Sequence, residues 1–155
     1  SCDIGFIGNI NHGADHGVQF NDCYFEANRI CIEYNLSASL CIHQCYFEHN
    51  SEHEIYIHNT GNKSLLTLEK SFFSHQLNET HNSIIKQDTQ SNGTIVYVIN
   101  NNYFISSYTE YNGNLINVIS GNVIIEANNN IISGIKYPIC SIAPSETSYF
   151  NNDFI

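Results

Sequence analysis

The chain has 155 residues, the length of one domain, and carries a formal net charge of −10 with only 5 basic residues against 15 acidic ones. Phosphate recognition needs clustered Lys and Arg, so this composition argues against a nucleic-acid partner and against an enzyme that acts on strongly anionic polysaccharides. No apolar run approaches the roughly 20 residues of a membrane-spanning helix, and no signal peptide is visible, so we expect no direct membrane insertion.

Aligned segments recur along the chain from Val18 onward. They read VQFNDCYFEAN, LCIHQCYFEHN, LTLEKSFFSHQ, YVINNNYFISS and IEANNNIISGI, starting at Val18, Leu40, Leu66, Tyr97 and Ile125, and SYFNNDFI from Ser148 begins another. Each segment opens with apolar residues in alternation, such as Val18 and Phe20, which predicts a short strand with one face inward.

A polar pair follows the first strand of each unit, for example Asn21-Asp22 or Asn100-Asn101. Asn and Asp tolerate left-handed backbone, so this pair predicts a tight turn. A second strand then carries an inward apolar column at Phe25, Phe47, Phe73, Phe104, Ile132 and Ile155. A third apolar segment completes the unit, such as ICI from Ile30.

Three short strands per unit, joined by turns, describe one rung of a parallel β-helix, since a single rung cannot bury its inward face but stacked rungs can. We therefore expect an all-β fold: a single-stranded, right-handed parallel β-helix, or solenoid, of about five to six rungs. Residues 1–155 form one solenoid segment, and the absence of Met indicates an excerpt of a longer repeat protein.

The connection between the second and third strands lengthens from EAN to ISSYTEYNGN before it shortens again. Insertions at one corner mark the rim where a solenoid usually carries its binding surface. The sequence also contains N-glycosylation sequons, which permit a secreted glycoprotein, at Asn35, Asn62, Asn78 and Asn92.

The tetrad F-x-x-N recurs at Phe6–Asn9, Phe25–Asn28 and Phe47–Asn50. It resembles the passenger repeats of chlamydial polymorphic membrane proteins and of related repeat proteins on some protist surfaces. More broadly, the chain looks like the right-handed β-helix of the pectate-lyase-like superfold. The resemblance implies an extracellular adhesive or structural segment with no cofactor.

Cysteines occupy equivalent positions in two successive units, Cys23 and Cys45. The same column continues with Ser71, Asn102, Asn130 and Asp153, which favours a ladder of small polar residues at a turn. A Cys23–Cys45 disulfide is the alternative, because neighbouring strands lie about 4.8 Å apart, although in-register side chains point the same way. No CxxC occurs, so we expect no zinc or other metal site.

Glu26 and Glu48 are likewise stacked. Two carboxylates about 5 Å apart would suit a retaining glycosidase or a calcium site, and they would also suit two solvated side chains. His49 and His75 share the next column and could form a pH-sensitive or metal-binding edge, with solvated loop histidines as the simpler interpretation.

An aromatic column precedes the inward phenylalanines, so alternation points it outward. Its members are Tyr24, Tyr46, Phe72, Tyr103, Ile131 and Phe154. We predict that Tyr24, Tyr46, Phe72 and Tyr103 form a platform for sugar rings or a partner surface, unless another part of the chain or a glycan covers it.

These features predict a cell-surface or secreted adhesion module that presents variable corner loops and an aromatic stripe to a host or neighbouring protein or glycan. End-to-end self-association and a role as a pure spacer in a fibre are also compatible with the repeats. The enzyme alternative is a carbohydrate-active β-helix, a glycoside hydrolase or polysaccharide lyase, that uses Glu26 and Glu48.

Overall fold

The computed structural model describes residues 3–9, 17–35, 39–58, 63–75, 83–88, 94–106, 114–135, 137–141 and 146–155. Regular structure in these ranges is entirely β-strand, so none of them contains a helix that could cross a membrane. The strands are β1 Ile4–Asn9, β2 Val18–Asn21, β3 Tyr24–Glu26, β4 Ile30–Asn35, β5 Leu40–His43, β6 Tyr46–Glu48, β7 His53–His58, β8 Lys63–Glu69, β9 Phe72–His75, β10 Ser83–Asp88, β11 Thr94–Asn100, β12 Tyr103–Ser106, β13 Asn114–Ser120, β14 Asn122–Ser133, β15 Tyr137–Ser141 and β16 Glu146–Phe154.

Two parallel sheets account for these strands. A 6-stranded sheet runs β1-β4-β7-β10-β13-β15, and a 10-stranded sheet runs β2-β5-β8-β11-β14-β12-β9-β6-β3, with β16 on β14. Each ladder joins a strand to the equivalent strand of the next repeat, as β2 pairs with β5 and β3 with β6. The protein is therefore a parallel β-solenoid, which confirms the predicted all-β class.

The register confirms the inward column of the second strands. Phe25 pairs with Phe47, Phe47 with Phe73, and Phe73 with Phe104. Their rings stack at centroid distances of 4.8, 4.6 and 4.8 Å along the solenoid axis. The core is thus built from columns of like side chains, because rungs in register place equivalent positions on top of one another.

The first corner turns through one left-handed residue in each of the five repeats that begin at Val18, Leu40, Leu66, Tyr97 and Ile125. The φ angles are 52° at Asp22, 52° at Gln44, 51° at Lys70, 57° at Asn101 and 55° at Asn129. A single residue with positive φ between two extended ones bends the chain abruptly, and Asn and Asp accept this conformation at low cost. The prediction of a tight polar turn is confirmed.

Buried side chains satisfy the backbone beside this turn. We name the column Cys23, Cys45, Ser71, Asn102, Asn130 and Asn152 the corner ladder. The backbone N–H of Asn102 donates to Oδ1 of Asn130 at 2.9 Å, and Asn102 Nδ2 donates to the carbonyl of Leu68 at 3.0 Å. Asn130 makes the same two bonds: its backbone N–H donates to Oδ1 of Asn152 at 3.0 Å, and its Nδ2 donates to the carbonyl of Ile99 at 2.8 Å. Each Asn therefore ties its rung to the preceding one, as buried backbone groups require.

The two cysteines belong to this ladder of small polar residues as well. Cys23 and Cys45 are both free thiols, and their Sγ atoms lie 3.3 Å from the carbonyl of Asn21 and 3.4 Å from the carbonyl of His43. The disulfide considered for this pair is not formed in the structure.

Two of the F-x-x-N tetrads, Phe25–Asn28 and Phe47–Asn50, form a second corner. The third, Phe6–Asn9, lies instead within β1, where Phe6 pairs with Ile32 of β4. Ala27 and His49 have φ of 56°, and the Asn that follows each of them is buried. Asn50 Oδ1 accepts the backbone N–H of Asn28 at 2.9 Å, while Asn50 Nδ2 donates to the carbonyl of Phe25 at 3.3 Å. In these two tetrads the Phe supplies an inward ring, the residue before the Asn makes a left-handed turn, and the Asn amide caps the corner.

Two details of the last repeats differ from the sequence alignment. β14 and β16 each run continuously through the first two strand positions, so three separate strands per rung do not occur there. The register also shifts within β16: Phe154 pairs with Ile132, Asp153 pairs with Ile131, and Asn152 takes the corner-ladder position assigned to Asp153. Ile155, expected inward, is 81% exposed. One residue fewer at the turn moves every later side chain by one position.

Candidate binding surface

The aromatic stripe (Tyr24, Tyr46, Phe72 and Tyr103) lies on the outer face of the 10-stranded sheet. Tyr24 pairs with Tyr46, Tyr46 with Phe72, and Phe72 with Tyr103, while the next residue of each strand points into the core. Tyr24 is 55% exposed and Tyr103 is 45% exposed; the two rings between them are half-buried. The structure thus places all four predicted residues together on one surface.

The rings of the stripe stack on one another. Centroids are 5.2 Å apart for Tyr24 and Tyr46, 4.7 Å for Tyr46 and Phe72, and 6.2 Å for Phe72 and Tyr103, with interplanar angles of 19°, 8° and 23°. The two inner rings have neighbours on both faces. They therefore offer ring edges to solvent, and the edge of an aromatic ring carries the positive end of its quadrupole.

This stacking limits what the stripe can bind. A sugar that packs its apolar face on a ring needs a free ring face, and the two inner rings have theirs covered. The end rings, Tyr24 and Tyr103, are the more exposed members. Tyr103, however, pairs in register with Ile131 of β14, whereas Tyr24 lies on β3, the last strand of the sheet. A ring face without a neighbouring strand is therefore found at the Tyr24 end, and ring edges are exposed along the middle of the stripe.

Two carboxylates and an imidazole surround the Tyr24 end. Tyr24 donates its hydroxyl to Glu48 Oε2 at 2.8 Å. His49 lies between the glutamates, with Nδ1 at 3.6 Å from Glu26 Oε1 and Nε2 at 3.8 Å from Glu48 Oε1. The hydrogen bond to Glu48, followed by burial and the charges of both carboxylates, raises the pKa of Tyr24 to about 12. This end of the stripe is therefore a negatively charged environment.

The glutamates predicted as alternative catalytic residues are brought to paired positions of β3 and β6. Glu26 is exposed and Glu48 half-buried, on the same outer face as Tyr24. A retaining glycosidase places two such groups on either side of a bound sugar, about 5–5.5 Å apart. Here one carboxylate already accepts the Tyr24 hydroxyl, so the group forms a hydrogen-bonded surface cluster; its use in catalysis stays a prediction.

A second polar surface on the outer face of the 6-stranded sheet was missed in the sequence. His58 Nε2 lies 2.7 Å from Glu33 Oε1, the Tyr56 and His58 rings stack at 5.0 Å, and Lys86 Nζ lies 4.9 Å from the Tyr56 ring centroid. Burial, together with the charges of nearby carboxylates, raises the pKa of Tyr56. The alternation of inward and outward residues within the third strands could have predicted this surface. It places Glu33, Tyr56 and Lys86 at equivalent outward positions, and the structure pairs them in register.

Several predicted residues lie at or beyond the limits of the described ranges. Asn62, Asn78 and Asn92 fall outside them, as do the longest corner loops. Asn35 is the last residue of β4, His75 is the last residue of β9, and the remainder of the Asn35 sequon falls outside the described ranges. Within those ranges, no group of three or more His, Cys, Asp or Glu side chains is arranged to hold a metal ion.

Comparison of the chain with protein-family models, with curated proteins and with solved structures finds no match. The functional argument therefore depends on the residues of the surface itself.

Proposed function

We propose that this protein is an extracellular structural or adhesion module, a rigid β-solenoid that binds a protein or glycan through its aromatic stripe and the adjacent corner loops. The observation that carries the proposal is the stripe itself. Four stacked aromatic side chains on one outer face, with both end rings about half-exposed, form an apolar surface of the kind that recognition sites use.

The extracellular location is part of this proposal. Support comes from the sequons and from the F-x-x-N tetrads, whose resemblance to polymorphic membrane protein passengers implies display at a cell surface. The partner is a host or neighbouring surface protein or glycan. The solenoid contributes rigidity, since each rung is held by ladders to its neighbours and presents its stripe at a fixed spacing.

The test compares removal of the end rings with removal of apolar side chains elsewhere. The variant Tyr24→Ser/Tyr103→Ser removes the two most exposed rings of the stripe, whereas Leu65→Ser/Ile119→Ser removes two other exposed apolar side chains. Labelled proteins are applied to a glycan array and to arrayed extracellular matrix proteins. We expect the end-ring variant to lose about tenfold or more in affinity for the array members that the unmodified protein binds, and the control variant to retain that affinity.

Equal binding by all three proteins would contradict the proposal, as would an equal loss in the two variants. Far-ultraviolet circular dichroism of each variant establishes that the solenoid is intact before binding is compared.

A carbohydrate-active enzyme is the second candidate, favoured by the paired positions of Glu26 and Glu48 beside Tyr24. Release of reducing ends from neutral polysaccharides, abolished by Glu48→Gln and retained in Glu126→Gln, would establish it. Binding of a glycan without any release would reject it.

A further inference from the structure

The two ends of the aromatic stripe differ in charge. At one end, Glu26 and Glu48 stand two residues after Tyr24 and Tyr46 on the same outer face. At the other end, the equivalent position after Tyr103 is Ile105, which has no charge. The Tyr24 hydroxyl donates to Glu48 at the first end, at 2.8 Å. The stripe therefore has one acidic end, at Tyr24, and one uncharged end, at Tyr103.

The neighbouring basic side chains, Arg29 and His49, leave both glutamates available to a partner. Arg29 follows closely in the chain, but its guanidinium is bound to Asp3 at 2.6 Å and also to Glu52. His49 is 3.6 and 3.8 Å from the nearest glutamate oxygens, which is longer than a hydrogen bond. Both Glu26 and Glu48 therefore retain the capacity to accept hydrogen bonds from a partner.

The open face of Tyr24 is also suited to one side-chain type in particular. Within the described ranges, Tyr46 is the aromatic ring that stacks on Tyr24, and the Tyr24 face on the other side meets no ring there. A planar guanidinium stacks on an aromatic face and donates N–H groups in a fork that matches carboxylate oxygens, whereas an ammonium is a strongly hydrated point charge. A guanidinium at this place would continue the ring stack and neutralise the glutamates.

We propose that the Tyr24 end of the stripe docks an arginine side chain of a basic partner protein, with the guanidinium stacked on Tyr24 and hydrogen-bonded to Glu26 and Glu48. This inference rests on the proposed function, in which the stripe is the binding surface. Charge complementarity favours the partner: the chain carries −10, so a basic protein segment is attracted to it and an acidic glycan is repelled.

The experiment measures fluorescence anisotropy of labelled nona-arginine, nona-lysine and nona-citrulline peptides with the full chain at about 50 mM and about 300 mM NaCl. Citrulline keeps the shape of arginine without its charge. We expect the Kd for nona-arginine to be severalfold lower than for nona-lysine, and nona-citrulline to bind at least about tenfold more weakly.

Matched variants locate the site. Tyr24→Ser and Glu26→Gln/Glu48→Gln should each weaken nona-arginine binding about tenfold, whereas Tyr103→Ser and the equally charged Glu126→Gln/Asp153→Asn should change it less than about twofold. Tyr24→Phe keeps the ring and should retain most of the affinity, which also keeps the test valid if Tyr24→Ser does not fold.

Equal weakening by the cluster and control pairs would overturn the inference, because it would show attraction by net charge alone. Equal affinity for arginine and lysine peptides would overturn the stacking. If the double variant Tyr24→Ser/Tyr103→Ser loses array binding while the protein binds arginine and lysine peptides equally, the proposed function stands and this inference fails. If the double variant keeps array binding, the proposed function itself fails.

Discussion

At the scale of single residues, the first corner depends on a left-handed backbone at Asp22, Gln44, Lys70, Asn101 and Asn129. Asn and Asp reach this conformation with little strain, while Gln and Lys have a larger steric cost. The repeated Asn-rich pairs in the sequence reflect this demand. The effect of a substitution at these positions should therefore depend on the backbone preference of the new residue. Lost side-chain contacts should matter little at Asn101, because its side chain is exposed.

Asn101→Val should lower the free energy of unfolding by about 1–2 kcal/mol, because a β-branched residue strongly disfavours the left-handed region. Asn101→Gly is the control, since Gly adopts positive φ freely and should leave stability nearly unchanged. Urea unfolding followed by circular dichroism measures both. Equal stability of the Val and Gly variants would show that the turn is not strained by side-chain branching.

At the scale of elements, strands of successive repeats are joined by backbone ladders and also by the corner ladder. Asn102 and Asn130 are almost completely buried, and their amides both accept from one rung and donate to a carbonyl of that rung. Toward β3 the column continues with Ser71, whose Oγ accepts the N–H of Cys45 at 3.1 Å but donates to Glu69 within its own rung, and with Cys45, whose Sγ lies 3.6 Å from the Phe20 carbonyl. Each of these two residues makes one contact to the preceding rung, where each Asn makes two. Hydrogen bonding across this corner therefore increases along the chain.

Asn130→Ala should destabilise the protein by at least about 2 kcal/mol, because the backbone N–H of Asn102 and the carbonyl of Ile99 both lose buried partners. Asn128→Ala is the matched control: Asn128 is half-buried and donates to Asn100 Oδ1 at 3.3 Å, so its loss should cost less than about 1 kcal/mol. Chemical denaturation measures the difference. Similar losses for the two variants would show that the corner ladder adds little.

At the scale of the whole molecule, the core consists of columns of apolar side chains. Polar groups also occur in it, and three of them, on Tyr97, Gln87 and Tyr34, make hydrogen bonds. Tyr97 is buried in an aliphatic column, where its hydroxyl donates to Gln87 Oε1 at 2.7 Å, and Gln87 Nε2 donates to the carbonyl of Ser120 at 3.0 Å. Tyr34 donates to the carbonyl of Ser39 at 2.8 Å. Burial raises the pKa of both phenols, that of Tyr34 to about 12.

The protein should lose stability as the pH rises from 10 toward 12, because the unfolded phenols ionise near 10.0 while Tyr34 in the folded state does so at about 12. A raised folded pKa contributes stability that is fully present below the unfolded pKa and is lost as the pH rises through this interval. The raised pKa of buried Tyr97 contributes to the same loss.

Thermal unfolding at successive pH values measures this dependence, and Tyr97→Phe should reduce its steepness in alkali. Tyr103→Phe, on the exposed stripe, is the matched control for removal of a phenol hydroxyl. A Tyr97→Phe profile parallel to that of the unmodified protein would contradict the assignment.

The sequence by itself determined the repeat, the alternation of inward and outward residues and the left-handed turns. These are local properties: period-two hydrophobicity and the backbone preferences of Asn, Asp and Gly act within a few residues. They were sufficient to predict Phe47 as core, Tyr46 as outward and Asn50 as a cap. They were insufficient at Ile155, where a shift of one residue within β16 exchanged the inward and outward faces.

Only the tertiary structure decided how the rungs meet. It set the stacking that covers the inner ring faces of the stripe and the placement of His49 between Glu26 and Glu48. It also joined Tyr97 to Gln87, ten residues apart in the chain. These contacts join residues on different strands, and their distances depend on the register and side-chain packing of stacked rungs. No local pattern encodes such distances, which is why the chemistry of the surface emerged only once the rungs were in place.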